Sequence, residues 1–346
     1  MIVALAGGYG GSKLAQGLYR VLPPGELTVI VNTADDLTLF GLRVCPDLDT
    51  VMYTLAGLVN RKEGWGVKGD SFHGLAMLGR YGEPTWFRLG DRDMATHLLR
   101  TRLLAEGRTL TEATHELCRR LGITATVLPM CNEPVATQVD TPEGTLSFQE
   151  YFVGRDGRVK AEGLRYHAIE GATLTEEVVR ALHAASRVII CPSNPLLSVG
   201  PILSVPGLRG ILHSLACPMV AVSPLIGGEA LRGPLARLLA DLGHPATQAG
   251  IAHFYADFLD GLVIDRSDAG EASQLDALGV SALVTSTVMA GPASREALAR
   301  RVPRHRRPLG LIITRRAVLQ SNLFAIVEEG RAWHGQQEGG RVAEFA

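Results

Sequence analysis

Ile2-Val-Ala-Leu-Ala-Gly-Gly-Tyr-Gly-Gly-Ser-Lys-Leu-Ala-Gln-Gly-Leu-Tyr-Arg-Val-Leu22 opens the chain. The apolar run 2–6 reads as a buried strand, and Lys13 to Leu22 as an amphipathic helix that Pro23-Pro24-Gly25 stops. A second apolar run begins near Leu27. Strand, helix and strand in this order form a βαβ unit, which predicts an α/β fold: a parallel sheet with helices on both faces. Glycines at the first strand-to-helix turn let backbone N–H groups approach a phosphate at the helix N-terminus. Gly7, Gly8, Gly10, Gly11 and Lys13 are therefore nucleotide-binding candidates, against the alternative of a tight structural turn. Both standard fingerprints fail. A dinucleotide pattern needs glycine where Lys13 stands, and a P-loop needs glycine before the lysine and Ser or Thr after it.

After the second strand, Asn32-Thr-Ala-Asp-Asp36 and Pro46-Asp-Leu-Asp-Thr50 place Asp35, Asp36, Asp47 and Asp49 within fifteen positions, ahead of an apolar helix read over 51–59. Hard oxygen ligands between a buried strand and an apolar helix suit Mg²⁺. The plainer alternative is that the first two fill a turn and that Asp47 or Asp49 caps the helix. A second polar group, Trp86-Phe-Arg-Leu-Gly-Asp-Arg-Asp-Met-Ala-Thr-His97, follows. Asp91 or Asp93 can cap its helix, which leaves the other aspartate with Arg88, Arg92 and His97 as a ligand-binding cluster near the carboxyl edge of the sheet. The loop Cys191-Pro-Ser-Asn-Pro195 repeats the logic of strand then shaped loop, with Ser193 and Asn194 as donors to a phosphate or a base.

The rest of the chain fills in this plan. Ala125–Leu128, Val135–Asp140 and Thr145–Val153 read as alternating strands of an antiparallel insertion, so that 1–122 and 171–301 form the core and 123–170 the inserted segment. Further buried strands follow at 187–190, 219–222, 261–265 and 281–285, with a closing helix over 293–301 and a tail over 302–346. At 346 residues, with 46% apolar residues and a formal net charge of -1, the composition is that of a globular protein and gives no bulk attraction to nucleic acid. Prolines interrupt the uncharged stretches 188–208 and 210–228, which argues against membrane spans. Five cysteines without a C-x-x-C pair argue against a disulfide framework and for the cytoplasm.

Taken together, these stretches, with Arg88-Leu-Gly-Asp-Arg-Asp93, Leu128-Pro-Met130, Phe148-Gln-Glu-Tyr151 and Ser223-Pro224, resemble the 2-phospho-L-lactate transferase family of coenzyme F-420 biosynthesis from residue 1 to about 300. The resemblance implies a Rossmann-like core with a small antiparallel insertion, Mg²⁺ as cofactor, and a homodimer. It also implies transfer of a phosphate from a guanosine-diphosphate-activated lactyl, enolpyruvyl or glyceryl donor to the ribityl hydroxyl of the deazaflavin Fo, with release of GMP. On that resemblance Asp49, Arg88 and Asp35 are catalytic, Asp35 and Asp49 hold the metal, and Asp49, Arg88, Asp91, Thr96 and His97 bind the deazaflavin. The glycine turn, Ser193 and Asn194 cradle the nucleotide. Two departures are local: Tyr9 stands where the family has a small or β-branched residue, and Thr38-Leu-Phe40 where Trp or His is common. The competing expectation is a non-enzymatic nucleotide-sugar or dinucleotide-binding regulator of the same fold. A nicotinamide dehydrogenase ranks below it because the dinucleotide fingerprint fails.

Overall fold

Every residue of Ile2–Ala6, Leu27–Val31, Met219–Val222 and Gly261–Ile264 is buried, as expected of strands covered on both faces. The computed structural model describes residues 1–230 and 233–304. Its main sheet has seven strands: β1 (Ile2–Ala6), β2 (Leu27–Val31), β3 (Thr126–Pro129), β4 (Arg187–Ile190), β5 (Met219–Val222), β6 (Gly261–Ile264) and β7 (Ser281–Val284). All pairs are parallel, in the order β7-β6-β5-β4-β1-β2-β3. The chain thus winds outward from β1 in one direction, then returns to β1's other side with β4. Between β1 and β4 lies the point where strand order reverses, and in such sheets a crevice opens there at the carboxyl ends.

Alternation along each strand feeds two cores. Val3, Leu5, Ile30 and Ile190 face one, and Ala4, Ala6, Val29 and Ile189 face the other. The second core is covered by α1 (Tyr9–Val21), α2 (Pro46–Leu55), α5 (Leu110–Arg120) and α6 (Pro292–Arg301), with α3 (His73–Arg80) and α4 (Asp91–Ala105) lying between α2 and α5 in the chain. Leu14, Leu18, Leu48, Val51, Leu117 and Leu298 are the residues that meet the sheet's underside there. Helices Glu176–His183, Gly200–Ser204, Leu208–Ser214, Leu235–Asp241 and Gln248–His253 cover the first core.

The expected antiparallel element is present as a three-stranded sheet in which Ala136–Thr141 pairs with Gly144–Ser147 and Gly163–His167. Its composition differs from the sequence reading. Thr126–Pro129 is not its first strand but the edge of the main sheet, parallel to β2, because its apolar side chains join the main cores. Residues Glu150–Gly154 are a π-helical turn, and Gly163–His167 is a strand that the reading passed over. Two short strands, Leu37–Leu39 and Leu42–Val44, form a hairpin where a loop was expected. Among the described residues no single helix is long and apolar enough to cross a membrane. Beyond Val302–Arg304, the expected tail lies outside the described residues.

Candidate active site

A cavity of about 730 Å³ opens at the carboxyl ends of β1, β2, β4 and β5, at the reversal of strand order. On one side it is bounded by Gly8, Gly10 and Lys13 of the glycine turn and by Ser193, Asn194 and Ser198 of the loop after β4. α1 begins at Tyr9 with neither a capping side chain nor an acid in its own first turn, and the carboxylate beside its positive end is that of Asp47, which accepts from the Gly8 N–H. The two loops are joined by Gly7 N–H, which donates to Ser193 Oγ at 3.1 Å. Gly7 and Gly11 stand behind this surface, in contact with Ser198 and Ser193, and do not line the cavity. Asn194 Oδ1 accepts from the N–H groups of Leu196 and Leu197, so its acceptor serves the loop's own turn.

The acids of the two polar stretches divide into two sets. In the first, Asp35 and Asp47 face the cavity beside the glycine turn. Asn32 Nδ2 donates to Asp47 Oδ2 at 3.0 Å, and a Cβ added to Gly8 would lie 2.4 Å from Asp47 Oδ1. Burial raises the Asp35 carboxyl well above the usual carboxylate range, reinforced by the charges of Asp47 and Asp36. Its Oδ1 is buried without a hydrogen-bond partner. Burial lifts Asp47 to about 6, opposed by the Asn32 and Gly8 hydrogen bonds. Asp36 pairs with Arg43 at 3.0 Å, yet burial still pushes it to about 7.

The second set is built on Asp49. The Arg100 guanidinium, fully buried, donates through Nη2 to Asp49 Oδ1 and through Nη1 to Oδ2 at 3.2 Å. His97 Nδ1 lies 3.5 Å from Asp49 Oδ2, and its Nε2 lies 3.4 Å from Asp93 Oδ1. Tyr53 donates to the same Asp93 oxygen at 2.7 Å. Ligand atoms of Asp49, Asp93 and His97 all lie within 4.8 Å of one another, a group able to take a metal ion.

Beyond this set the cavity wall turns aromatic: Trp65, Trp86, Phe87, Phe148 and Phe152 line it together with Arg88. The Arg88 guanidinium lies over the Phe72 ring, 4.6 Å from its centroid, and near Trp65 at 5.8 Å. Phe148 and Phe152 stack at 5.2 Å.

Of the residues singled out in the sequence, Gly8, Gly10, Lys13, Asp35, Asp49, Arg88, His97, Ser193 and Asn194 line this one cavity. Asp35 and Asp49 line it with different neighbours, Asp35 beside Asp47 and Asp49 with Arg100 and His97. Asp91 and Thr96 do not line it. Asp91 accepts from His73 and Gly74 at the start of α3, and Thr96 contacts Tyr53. Neither Asp47 nor Asp49 caps α2, which begins at Pro46 after an N-cap Cys45 that makes no side-chain bond. The sequence reading left out Asn32 and Arg100 as site residues and held Asp93 only as one of two aspartates, either the cap or a member of the cluster. The available signal was Asp93, His97 and Arg100 at positions i, i+4 and i+7, one face of one helix.

The model of the 2-phospho-L-lactate transferase CofD family matches residues 2–285. The 2-phospho-L-lactate transferase of Methanosarcina mazei is 37% identical over 298 residues, covering 86% of this chain and 98% of its own. The phosphoenolpyruvate transferase of Streptomyces griseus is 40% identical over 305 residues (86% and 96%), and that of Streptomyces coelicolor 41% over 285 (81% and 89%). A crystal structure of a UPF0052 family member from Bacillus halodurans shares the fold, with a TM-score of 0.56 at 17% identity over 87% of this chain and 98% of that one. Since the matched segment spans β1 to β7 and contains the glycine turn, both acidic sets and the aromatic wall, the chain belongs to the 2-phospho-L-lactate transferase CofD family.

Proposed function

We propose that the chain joins the phosphate of a guanosine-diphosphate-activated lactyl, enolpyruvyl or glyceryl group to the ribityl hydroxyl of Fo. The hydroxyl oxygen bonds to the acyl-bearing phosphorus, the bridging P–O bond breaks, GMP leaves, and the hydroxyl proton is lost. The observation that carries this reading is one cavity with two chemically opposite ends. A glycine turn and helix N-terminus suit a diphosphate, and a wall of aromatic rings with an arginine suits a flat deazaflavin.

Such a transfer is catalysed by positioning and by neutralising charge on the bridging and leaving oxygens. The oxygen-only set of Asp35 and Asp47 fits Mg²⁺: one buried Asp35 oxygen lacks any partner and both side chains face the phosphate end. The Asp49, Asp93 and His97 group fits it less well, because Arg100 already occupies both Asp49 oxygens and one donor is an imidazole nitrogen. Bound at Asp35 and Asp47, Mg²⁺ would offset the charge of the diphosphate. Asp49, fixed by Arg100 between the two ends, is placed to accept a hydrogen bond from the attacking hydroxyl. Lys13 faces the phosphates and Arg88 the deazaflavin. We place the reaction in the cytoplasm, where the five free thiols stay reduced.

The test is to mix protein, Mg²⁺ and Fo with each of the three donors, following GMP release and product mass. Turnover with one donor establishes the reaction and its acyl group. Silence with all three, beside tight binding of a UDP-sugar or NAD, would make the chain a regulator on this fold.

A further inference from the structure

The two ends of the cavity come from distant parts of the chain, and one ring connects them. Tyr9 sits inside the glycine turn, between Gly8 and Gly10. One neighbour of its ring is Lys13, whose ammonium lies 3.7 Å from the centroid. Its other neighbour is the backbone of Gly64: a Cβ built there would lie 1.8 Å from Tyr9 Cε2 and 2.0 Å from Cδ2. Gly64 has φ +85°, so both its backbone region and its lack of a side chain are required by this approach.

Gly64 belongs to a closed loop. A bridge pairs Val59 with Val67, Asn60 N–H donates to Gly66 at 3.0 Å, and Gly64 N–H donates to Asn60 at 2.7 Å. Trp65, the next residue, projects into the aromatic wall beside Arg88. The loop that carries Trp65 therefore rests on the turn through Tyr9. A small or β-branched residue at position 9 has no ring to fill this contact.

On the reading of the site given above, we propose that Tyr9 is a positioning residue. It holds Lys13 at the phosphate end and seats the Trp65 loop at the aromatic end, so that donor and acceptor are bound in register. Occupancy of the phosphate end is then felt at Trp65.

Two variants approach the contact from opposite sides. Tyr9→Leu removes the ring, and Gly64→Ala forces the loop off an intact ring. Tyr9→Phe keeps the ring and is the rescue variant. In steady-state assays of the full chain, Gly64→Ala is expected to raise KM for Fo about tenfold while the donor KM changes far less, and Tyr9→Leu to raise the Fo KM as much and the donor KM too because Lys13 loses its ring, with Tyr9→Phe near wild type. Independently of turnover, Trp65 emission is expected to change when Mg²⁺ and inorganic pyrophosphate are added to wild type and Tyr9→Phe. That response should be lost in Tyr9→Leu and Gly64→Ala, and its absence in Trp65→Phe assigns the signal. An unchanged Fo KM, equal changes in both KM values in Gly64→Ala, a Tyr9→Phe as impaired as Tyr9→Leu, or a wild-type emission indifferent to pyrophosphate would each overturn the proposal. Absence of product with every donor would instead remove the transferase reading, leaving the emission arm to decide the role of Tyr9.

Discussion

Arg100 illustrates how a charged residue becomes part of a core. It is fully buried, and its guanidinium meets both oxygens of Asp49. Burying two ions is unfavourable, but removing one partner is worse, because the other stays buried without compensation. Arg100→Met should therefore destabilise the protein by about 3–5 kcal/mol. The double variant with Asp49→Asn should recover most of that loss in urea denaturation. A double variant no more stable than Arg100→Met would show that Arg100 acts through its packing. For chemistry, Asp49→Asn is expected to abolish transfer, measured well below its melting temperature because it too breaks the pair. Its Mg²⁺-dependent pyrophosphate affinity should survive, whereas Asp47→Asn should lose it. Turnover retained in Asp49→Asn would take Asp49 out of the mechanism, and metal-dependent binding retained in Asp47→Asn would move the cation elsewhere.

At the scale of elements, the site depends on how α3 and α4 begin, since α4 carries Asp93 and His97 into the cavity and Arg100 against Asp49. Each helix is capped from outside itself. Asp70 accepts from the N–H groups of Arg92 and Asp93 at 2.7 and 3.0 Å, and Asp91 accepts from Ser71 Oγ and from the N–H groups of His73 and Gly74. Asp70→Ala should cost about 1–2 kcal/mol and lower turnover by loosening α4, whereas Asp91→Ala should weaken α3 and leave the Fo KM in place. A raised Fo KM in Asp91→Ala would return that residue to the deazaflavin site. This exchange of caps was not legible in the sequence, because an aspartate before a helical pattern looks the same whether it caps its own helix or a neighbour. The parallel strands were legible, since burial on both faces writes a continuous apolar run such as Ile2–Ala6. Thr126–Pro129 was misplaced because a run of four residues whose apolar members are Val127, Leu128 and Pro129 says nothing about which sheet receives it. Gly163–His167 was missed because Arg165 and His167 point to water and make the run look polar. Arg100 was passed over because charge suggests exposure until a partner at the same depth is known.

At the scale of the molecule, the fold gathers like charges where a substrate cation or metal is needed, and this has a measurable consequence. Asp47 and Asp36 are held at about 6 and about 7, and Asp35 is raised as well. In the unfolded chain all three ionise near 3.8, so from there upward the native state keeps protons that the unfolded state has lost. Stability then falls as pH rises through this window. His244, lowered by burial, works in the opposite sense near 6.5, and carboxylates that are lowered, such as Glu116, act only below the window. With a chelator present, Tm should decline from about pH 5 to about pH 7. Bound at the proposed site, Mg²⁺ would compete with protons for the ionised pair, so its stabilisation should be negligible near pH 5 and grow through about 6 to 7. The double variant Asp35→Asn/Asp47→Asn should reduce the chelator curve to the part that Asp36 contributes and remove the Mg²⁺ response, because that pair takes part in both. A Mg²⁺ shift in Tm that is equally large near pH 5, or that persists in the double variant, would place the cation away from Asp35 and Asp47, with the Asp49, Asp93 and His97 group as the remaining site.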